Sequence, residues 1–247
     1  MTSRFYSLRA SDALLPYNND MSANDILYDL SPRIGPELPV WPGDTPFATR
    51  SVLRLGDDSP VNLSSLVTTP HLGAHADAPI HTEPRGSGID GVDLQAYVGP
   101  CRVLELVPRD GLLWPDDLPD VDLAEAPRLL LKTSSIRDRS SFPQDFAAVS
   151  PALAHHLATG GIRLLGIDTP SVDPFSSKSM EAHHALLGQN VAILEGLLLE
   201  PVPPGLYELI ALPLPLVGLD ASPVRAVLRG LGDEARISSI RTSGTKA

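Results

Sequence analysis

The sequence predicts a strand-rich α/β fold of a single domain with few, short helices. Twenty-five prolines in 247 residues divide the chain into short elements, because proline interrupts helices and strand ladders alike. Short apolar runs recur along the chain, whereas helical patterns are confined to a few segments. This mixture favours a barrel-like or layered α/β domain over a bundle of long helices.

Eight segments are predicted as strands because each is a short apolar run between turn residues. They are residues 26–30, 48–55, 61–67, 101–106, 129–132, 164–167, 191–194 and 206–212. Helical patterns cover residues 145–150, 151–159 and 180–187. The helix at 151–159 has the clearest ends, since Ser150 can cap it, Pro151 suits its first turn and Gly160 can end it.

The two ends of the chain are expected to lie outside this domain. Residues 1–25 are predicted to be a flexible N-terminal arm, with Met21 as an alternative start, and residues 231–247 a polar C-terminal tail. No Gly/Ser linker or charge block divides residues 26–230, so these form one predicted domain.

Composition restricts the classes of partner. A formal net charge of −11 disfavours binding to nucleic acid and to anionic membrane surfaces. No apolar run has the length of a membrane span, and the N-terminal segment lacks a secretory apolar core. We therefore expect a cytoplasmic protein that binds a small molecule. Cys101 is the single cysteine, which excludes an intrachain disulfide and suits a small core residue.

Residues 71–81, which read HLGAHADAPIH, hold three of the seven histidines. In an extended backbone, His71, His75, Asp77 and His81 would point to the same side because their numbers share parity. Imidazole and carboxylate ligands together suit zinc, manganese or iron(II). The pattern therefore favours a metal site, and the alternative is a set of unrelated surface histidines beside an ordinary aspartate.

The segment must bend to form such a site. A straight strand would separate His71 from Asp77 by about 20 Å, far beyond the reach of one ion. Gly73 can adopt a positive φ, and Pro70 and Pro79 interrupt regular pairing. We expect the end of a strand that runs into a curved loop. Asp77 could be a ligand or could accept a hydrogen bond from a ligating imidazole.

A second group of candidates lies downstream. Glu195 sits in the apolar run VAILEGLLL, where an ionised carboxylate costs several kcal/mol unless it is paired, metal-bound or at an exposed edge. His183 and His184 begin a short amphipathic segment, and the pattern does not choose between them. His155 and His156 are interpreted as an exposed helical pair without a metal role.

The order of these motifs resembles the cyclase-type metal-dependent hydrolases and, within them, the bacterial kynurenine formamidases (arylformamidases). Ala74 departs from the family pattern, in which many members carry threonine. The resemblance covers about residues 26–230. It is carried by YDLSP (28–32), PVWPGDTP (39–46), residues 71–81, GPCRV (99–103), LKT (131–133), GIDTPSVDP (166–174), AHH (182–184), ILEGL (193–197) and YELIALP (207–213).

The resemblance implies a swivelling β/β/α fold and two divalent metal ions, zinc or manganese. By this resemblance His71, His75 and Asp77 hold one ion. Asp77 and Glu195 bridge to the second ion, and His183 completes the ligand set of that ion.

The same resemblance implies that His81 is the acid/base residue and that Trp41 contacts an aromatic substrate. His184 is the alternative to His183. The implied reaction is hydrolysis of N-formyl-L-kynurenine to L-kynurenine and formate by a homodimer. A related hydrolase of isatin or another cyclic amide is the nearest alternative. A non-catalytic protein whose metal serves folding alone is the alternative from another class.

Overall fold

The computed structural model describes residues 27–231, which form a strand-rich α/β fold around a curled sheet, with two α-helices. The predicted arm at 1–25, Met21 and all but the first residue of the predicted tail lie outside this range. Within it, neither helix has the length and apolar character needed to cross a bilayer. The expectation of a strand-rich α/β fold is confirmed.

The elements are short, as the prolines predict. The strands are β1 (Leu27–Asp29), β2 (Ala48–Leu53), β3 (Leu63–Val67), β4 (His75–Asp77), β5 (Val98–Glu105), β6 (Leu112–Leu113), β7 (Arg128–Lys132), β8 (Ala148–Val149), β9 (Leu164–Ile167), β10 (Ala192–Glu195), β11 (Gly205–Ile210), β12 (Ala221–Pro223) and β13 (Val227–Gly230). The helices are α1 (Pro151–Thr159) and α2 (Glu181–Leu187). All eight predicted strand segments contain or overlap an observed strand.

Nine strands form the main sheet in the order β1-β13-β11-β5-β7-β9-β10-β4-β12. The strands β5, β7, β9 and β10 run parallel, and the remaining pairs are antiparallel. Every residue of β7 and β9 is buried. Both faces of these central strands are covered, which explains why their sequences are continuous apolar runs rather than alternating ones.

The two faces of the sheet pack into separate cores. Leu129 and Leu131 of β7 face α1 and α2. They share one core with Leu153 of α1 and Leu186 of α2. Leu130, on the opposite face, packs inside the curl of the sheet. This alternation fixes the register of the central strands, since a slip by one residue would exchange the two faces.

One predicted helix, at 145–150, is wrong. Its last residues form β8, which pairs in parallel with β6, and Val149 donates a hydrogen bond to the carbonyl oxygen of Val172 over 2.8 Å. Residues 146–150 are all buried. A segment that is covered on every side has no polar face to turn toward water, and here the neighbouring strand satisfies its backbone. The other two predicted helices are confirmed as α1 and α2.

Two apolar stretches, residues 197–199 and 212–219, differ in their burial. Leu197 and Leu199 are fully buried. Leu212, Leu214 and Val217, by contrast, are exposed by 47%, 55% and 84%. The first stretch therefore belongs to the core, whereas most of the second is exposed and its Leu216 packs against the core.

Candidate active site

Strands β4 and β10 lie side by side and bring three of the candidate ligands together. Glu195 pairs in register with His75, and strand alternation turns His75 and Asp77 to one side while Ala76 enters the core on the other. The ring nitrogen Nε2 of His75 lies 3.3 Å from Oε2 of Glu195 and 3.6 Å from Oδ1 of Asp77. All three side chains are at most 4% exposed.

A bend before β4 brings His71 back to the same place. Gly73 has a φ of +62°, which a residue with a side chain adopts only with strain. Gly196 has a φ of +69°, and a Cβ there would overlap the carbonyl oxygen of Gly73. The two glycines thus let the loop lie against the end of β10. As a result, Nδ1 of His71 is 3.1 Å from Oδ1 of Asp77.

Helix α2 supplies His183 from its first turn. Asp173 accepts hydrogen bonds from the backbone N–H groups of Ala182 and His183, each over 3.0 Å, and lies 2.7 Å from Nδ1 of the His183 ring. The other ring nitrogen, Nε2, lies 3.4 Å from Oδ2 of Asp77 and 3.3 Å from Oε1 of Glu195. Asp173 therefore both caps the helix and aims the imidazole.

His184 points away from this cluster. Its Nδ1 lies 2.8 Å from Oε1 of Glu83 at the surface. The structure thus places His183, and not His184, beside the other candidate ligands. His155 and His156 are exposed on α1, as expected for a pair without a metal role.

Each of the three imidazoles has an outer acceptor for one ring N–H, so its other nitrogen can present a lone pair to the cluster. The separations from ring nitrogen to acceptor oxygen are 2.7–3.0 Å. The pairs are His71 with Asp220, His75 with the carbonyl of Gly73, and His183 with Asp173.

The atoms at the centre of this cluster lack partners within the described residues. Both carboxylate oxygens of Asp77 and Nε2 of His183 are buried without a hydrogen bond of acceptable geometry. An unsatisfied buried carboxylate is costly. Neutral imidazoles and carboxylates form a donor set that suits a zinc-like or manganese-like cation, and such an ion would satisfy these orphaned atoms. The residues present therefore fit a metal centre.

The charges of the cluster are strongly coupled. Burial alone would lower the pKa of His71, but the neighbouring carboxylates of Asp77 and Asp220 outweigh it and raise that pKa to about 9. Burial would raise the pKa of Asp77, yet His183 and His71 hold it well below its usual range. The pKa of His183 is likewise raised, by Asp173, Asp77 and Glu195 against the effect of burial, so the cluster without a cation retains protons on His71 and His183, in the place that a cation would take.

His81 lies over this cluster, at the end of the 3-10 turn Pro79–His81. Its ring centroid is 4.5 Å from that of His71 and 5.5 Å from that of His183. Its Nδ1 is 3.6 Å from Oδ2 of Asp220. Burial lowers the pKa of His81. The result is a neutral ring beside the candidate ligands and able to accept a proton.

A cavity of about 550 Å³ opens onto the cluster. His71, His81 and Glu195 are among the residues on its lining, and an aromatic group faces the same space. Trp41 lies in contact with Phe142 and Phe175, with ring centroids 5.1 Å and 5.0 Å away. The cavity therefore combines polar groups suited to hydrolysis with a surface suited to an aromatic ring.

Several residues of the site were not singled out in the sequence. Asp173 and Asp220 hold the imidazoles, and Phe142 and Arg139 line the cavity. Asp173 lies within the motif at 166–174, but an aspartate before a proline most often signals a turn. Asp168, in the same motif, anchors a loop by accepting hydrogen bonds from the backbone of residues 133 and 134.

Comparison with known proteins identifies the molecules that this chain resembles. The family model for cyclases, described as "Putative cyclase", matches residues 28–174. A solved potential metal-dependent hydrolase with cyclase activity is 29% identical, with a TM-score of 0.74, over 83% of this chain and 98% of that one. A predicted metal-dependent hydrolase from Bacillus stearothermophilus is 30% identical, with a TM-score of 0.71, over 82% and 97%. Isatin hydrolase A from Labrenzia aggregata shares the fold at 21% identity, with a TM-score of 0.67, over 82% and 93%.

Proposed function

The chain belongs to the cyclase family, and from this membership we propose that it is a metal-dependent hydrolase of aromatic amides. The proposed reaction is hydrolysis of N-formyl-L-kynurenine to L-kynurenine and formate. The observation that carries the proposal is the buried cluster around Asp77. The carboxylate oxygens of Asp77 lack hydrogen bonds of acceptable geometry, and its neighbours His75, His183 and Glu195 line a cavity that also has aromatic walls. Two similar solved structures are described as metal-dependent hydrolases.

The cluster divides into two sets of ligands that share Asp77. His71, His75 and Asp77 would hold one divalent ion, and Asp77, His183 and Glu195 would hold a second. Zinc and manganese both suit these donors. When bound, such an ion polarises a substrate carbonyl and lowers the pKa of water toward about 7.

His81 is the proposed acid/base residue. Because its Nδ1 lies toward Asp220, its Nε2 is the nitrogen left to exchange a proton. It would take a proton from the attacking water and return it to the nitrogen of the leaving aniline. The lowered pKa of His81 keeps the ring unprotonated, and thus ready as a base, near neutral pH.

The aromatic group positions the substrate in this proposal. Trp41, which contacts Phe142 and Phe175, offers a face on which an aryl ring can stack. Stacking would hold the ring away from the cluster and leave the amide carbonyl directed toward it. The same aromatic surface reduces the access of bulk water to the bond that breaks.

A second candidate reaction is the opening of isatin or another cyclic amide. It is favoured by the likeness in fold to isatin hydrolases, one of which was solved with the product analogue thioisatinate. The same ligands and the same acid/base residue would serve both reactions, because both begin with attack on an amide carbonyl.

The test is a comparison of kcat/KM for N-formyl-L-kynurenine, isatin and formanilide with protein loaded with zinc or manganese. We expect formate release from the first substrate. In His81→Ala, metal should stay bound while the rate falls by about 10²–10⁴-fold, and His184→Ala should serve as the unaffected control. Hydrolysis of isatin alone would select the second candidate. An unchanged rate in His81→Ala would remove His81 from the mechanism, whereas no hydrolysis of any substrate would indicate a protein that only binds metal.

A further inference from the structure

Among the described residues that line the cavity, Arg139 is the only lysine or arginine. It lies on the loop between β7 and β8, three positions before Phe142, which also lines the cavity and contacts Trp41. Its Nη2 donates a hydrogen bond to the carbonyl oxygen of Asp168 over 3.1 Å. A permanent positive charge therefore stands at the aromatic part of the cavity.

The guanidinium of Arg139 has no carboxylate partner at ion-pair distance in the part of the chain that the structure describes. Arg102, Arg225 and Arg229, in contrast, each contact an acidic side chain. Burial lowers the pKa of Arg139, and the more distant charges of Asp168 and Glu200 only partly oppose this effect. The residue as a whole is nevertheless exposed, so its guanidinium remains accessible to an anion that enters the cavity.

The main-chain anchor of Arg139 is itself held firmly. Asp168 is buried, and its carboxylate accepts hydrogen bonds from the backbone N–H groups of Thr133 and Ser134, each over 2.9 Å. These bonds fix the start of the loop that carries Arg139. A guanidinium has five N–H donors in a planar fork that matches a carboxylate, and only one is used on Asp168. The remaining donors are available to a ligand in the cavity.

We propose that Arg139 binds a carboxylate of the substrate, so that the enzyme acts on aromatic amides that carry a negative charge away from the scissile bond. This inference rests on the proposed hydrolase function and narrows its substrate class. An aryl ring on Trp41 would place such a carboxylate near the guanidinium while the amide faces the metal ligands. N-formyl-L-kynurenine has a carboxylate of this kind, whereas isatin is neutral.

The test compares N-formyl-L-kynurenine with its methyl ester, which lacks the negative charge. Arg139→Gln should lower kcat/KM for the acid by about ten- to hundredfold, the loss expected from hydrogen bonds between charged groups, mainly through KM. The value for the ester should change by less than about twofold, since it has no charge to pair. Arg139→Lys should retain part of the preference for the acid over the ester. Arg137→Gln, on the same loop but outside the cavity lining, is the matched control.

Equal losses for acid and ester, or no loss for the acid, would overturn the role of Arg139. Calorimetric binding of L-kynurenine to metal-loaded protein separates this result from failure of the proposed function. If the wild type releases no formate, the hydrolase proposal fails, and Arg139 is judged by binding alone. Weaker binding in Arg139→Gln than in the wild type and Arg137→Gln supports its role. Equal binding in all three, or no binding to the wild type, contradicts it.

Discussion

The two ends of the cavity are built in different ways. Of the five candidate ligands, His71 lies on the bend before β4, whereas the other four come from β4, α2 and β10 and are at most 3% exposed: His75, Asp77, His183 and Glu195. The aromatic end comes from loops, with Trp41 half-buried between β1 and β2. Regular hydrogen bonding holds the ligands in place, whereas loops can change without disturbing the sheet. In the proposed function, the scaffold would thus determine the chemistry and the loops the substrate.

The largest effect should come from the ligand end. Asp77→Asn removes a charge shared by both proposed ligand sets, and we expect loss of bound metal and a fall in kcat of about a thousandfold or more, because such ions supply several kcal/mol of transition-state stabilisation. Elemental analysis and rate measurements check both. The exposed Asp116→Asn is the control. Full activity with normal metal content in Asp77→Asn would remove Asp77 from the site.

A smaller effect is expected one step outside the ligands. Asp173→Asn keeps an oxygen that can cap α2 but removes the negative charge beside Nδ1 of His183. Weaker orientation of that ring should lower metal affinity by about ten- to hundredfold. Titration against a chelator measures this change. If affinity is unchanged while the helix stays folded, Asp173 serves the helix alone.

Competition between protons and metal also distinguishes the two ends of the cavity, because the imidazoles that can exchange protons lie at the ligand end. Without a cation, His71 keeps its proton up to a pKa of about 9, and metal binding must displace that proton. Affinity should therefore rise with pH by about tenfold per unit for each proton displaced, and this rise should level off above about pH 9. Chelator titrations from about pH 6 to about pH 10 test both the rise and its end. A flat profile would mean that the imidazoles do not exchange protons for metal.

The mildest effect should come from the aromatic end. Trp41→Leu removes a stacking surface worth about 0.5–1.5 kcal/mol, which corresponds to a rise in KM of about two- to tenfold. Metal content should not change. Trp114→Leu, at an exposed tryptophan outside the cavity lining, is the control. A loss of metal in Trp41→Leu would show that the two ends are not independent.

The first ligand cluster could be predicted from the sequence because its geometry is local. Shared parity put His75 and Asp77 on one side of a strand, and the need for a bend pointed to Gly73, whose φ is indeed positive. Glu195 stood out because a carboxylate in an apolar run needs a partner, and the structure supplies His75 and His183. The cost of burying charge is thus visible in sequence even when the partner is not.

The other parts of the candidate site and of the fold could not be predicted, because they depend on contacts between residues that are distant in sequence. Asp220 meets His71 across 149 positions, and nothing around Asp220 distinguishes it from an ordinary loop aspartate. Arg139 gains its significance only from the cavity that it lines. The segment at 145–150 was mistaken for a helix because its backbone partners, on β6 and near Val172, are remote in sequence. Loop placement and long-range pairing cannot be inferred from local patterns.

The position of β4 between β10 and β12 has a consequence for how the protein reaches its working form. Both neighbours pair with β4 through residues more than a hundred positions away along the chain. Such long-range closures are entropically costly and late during folding. A refolding chain should regain its helices well before it can capture metal. Catalytic competence is therefore a stringent reporter of complete folding.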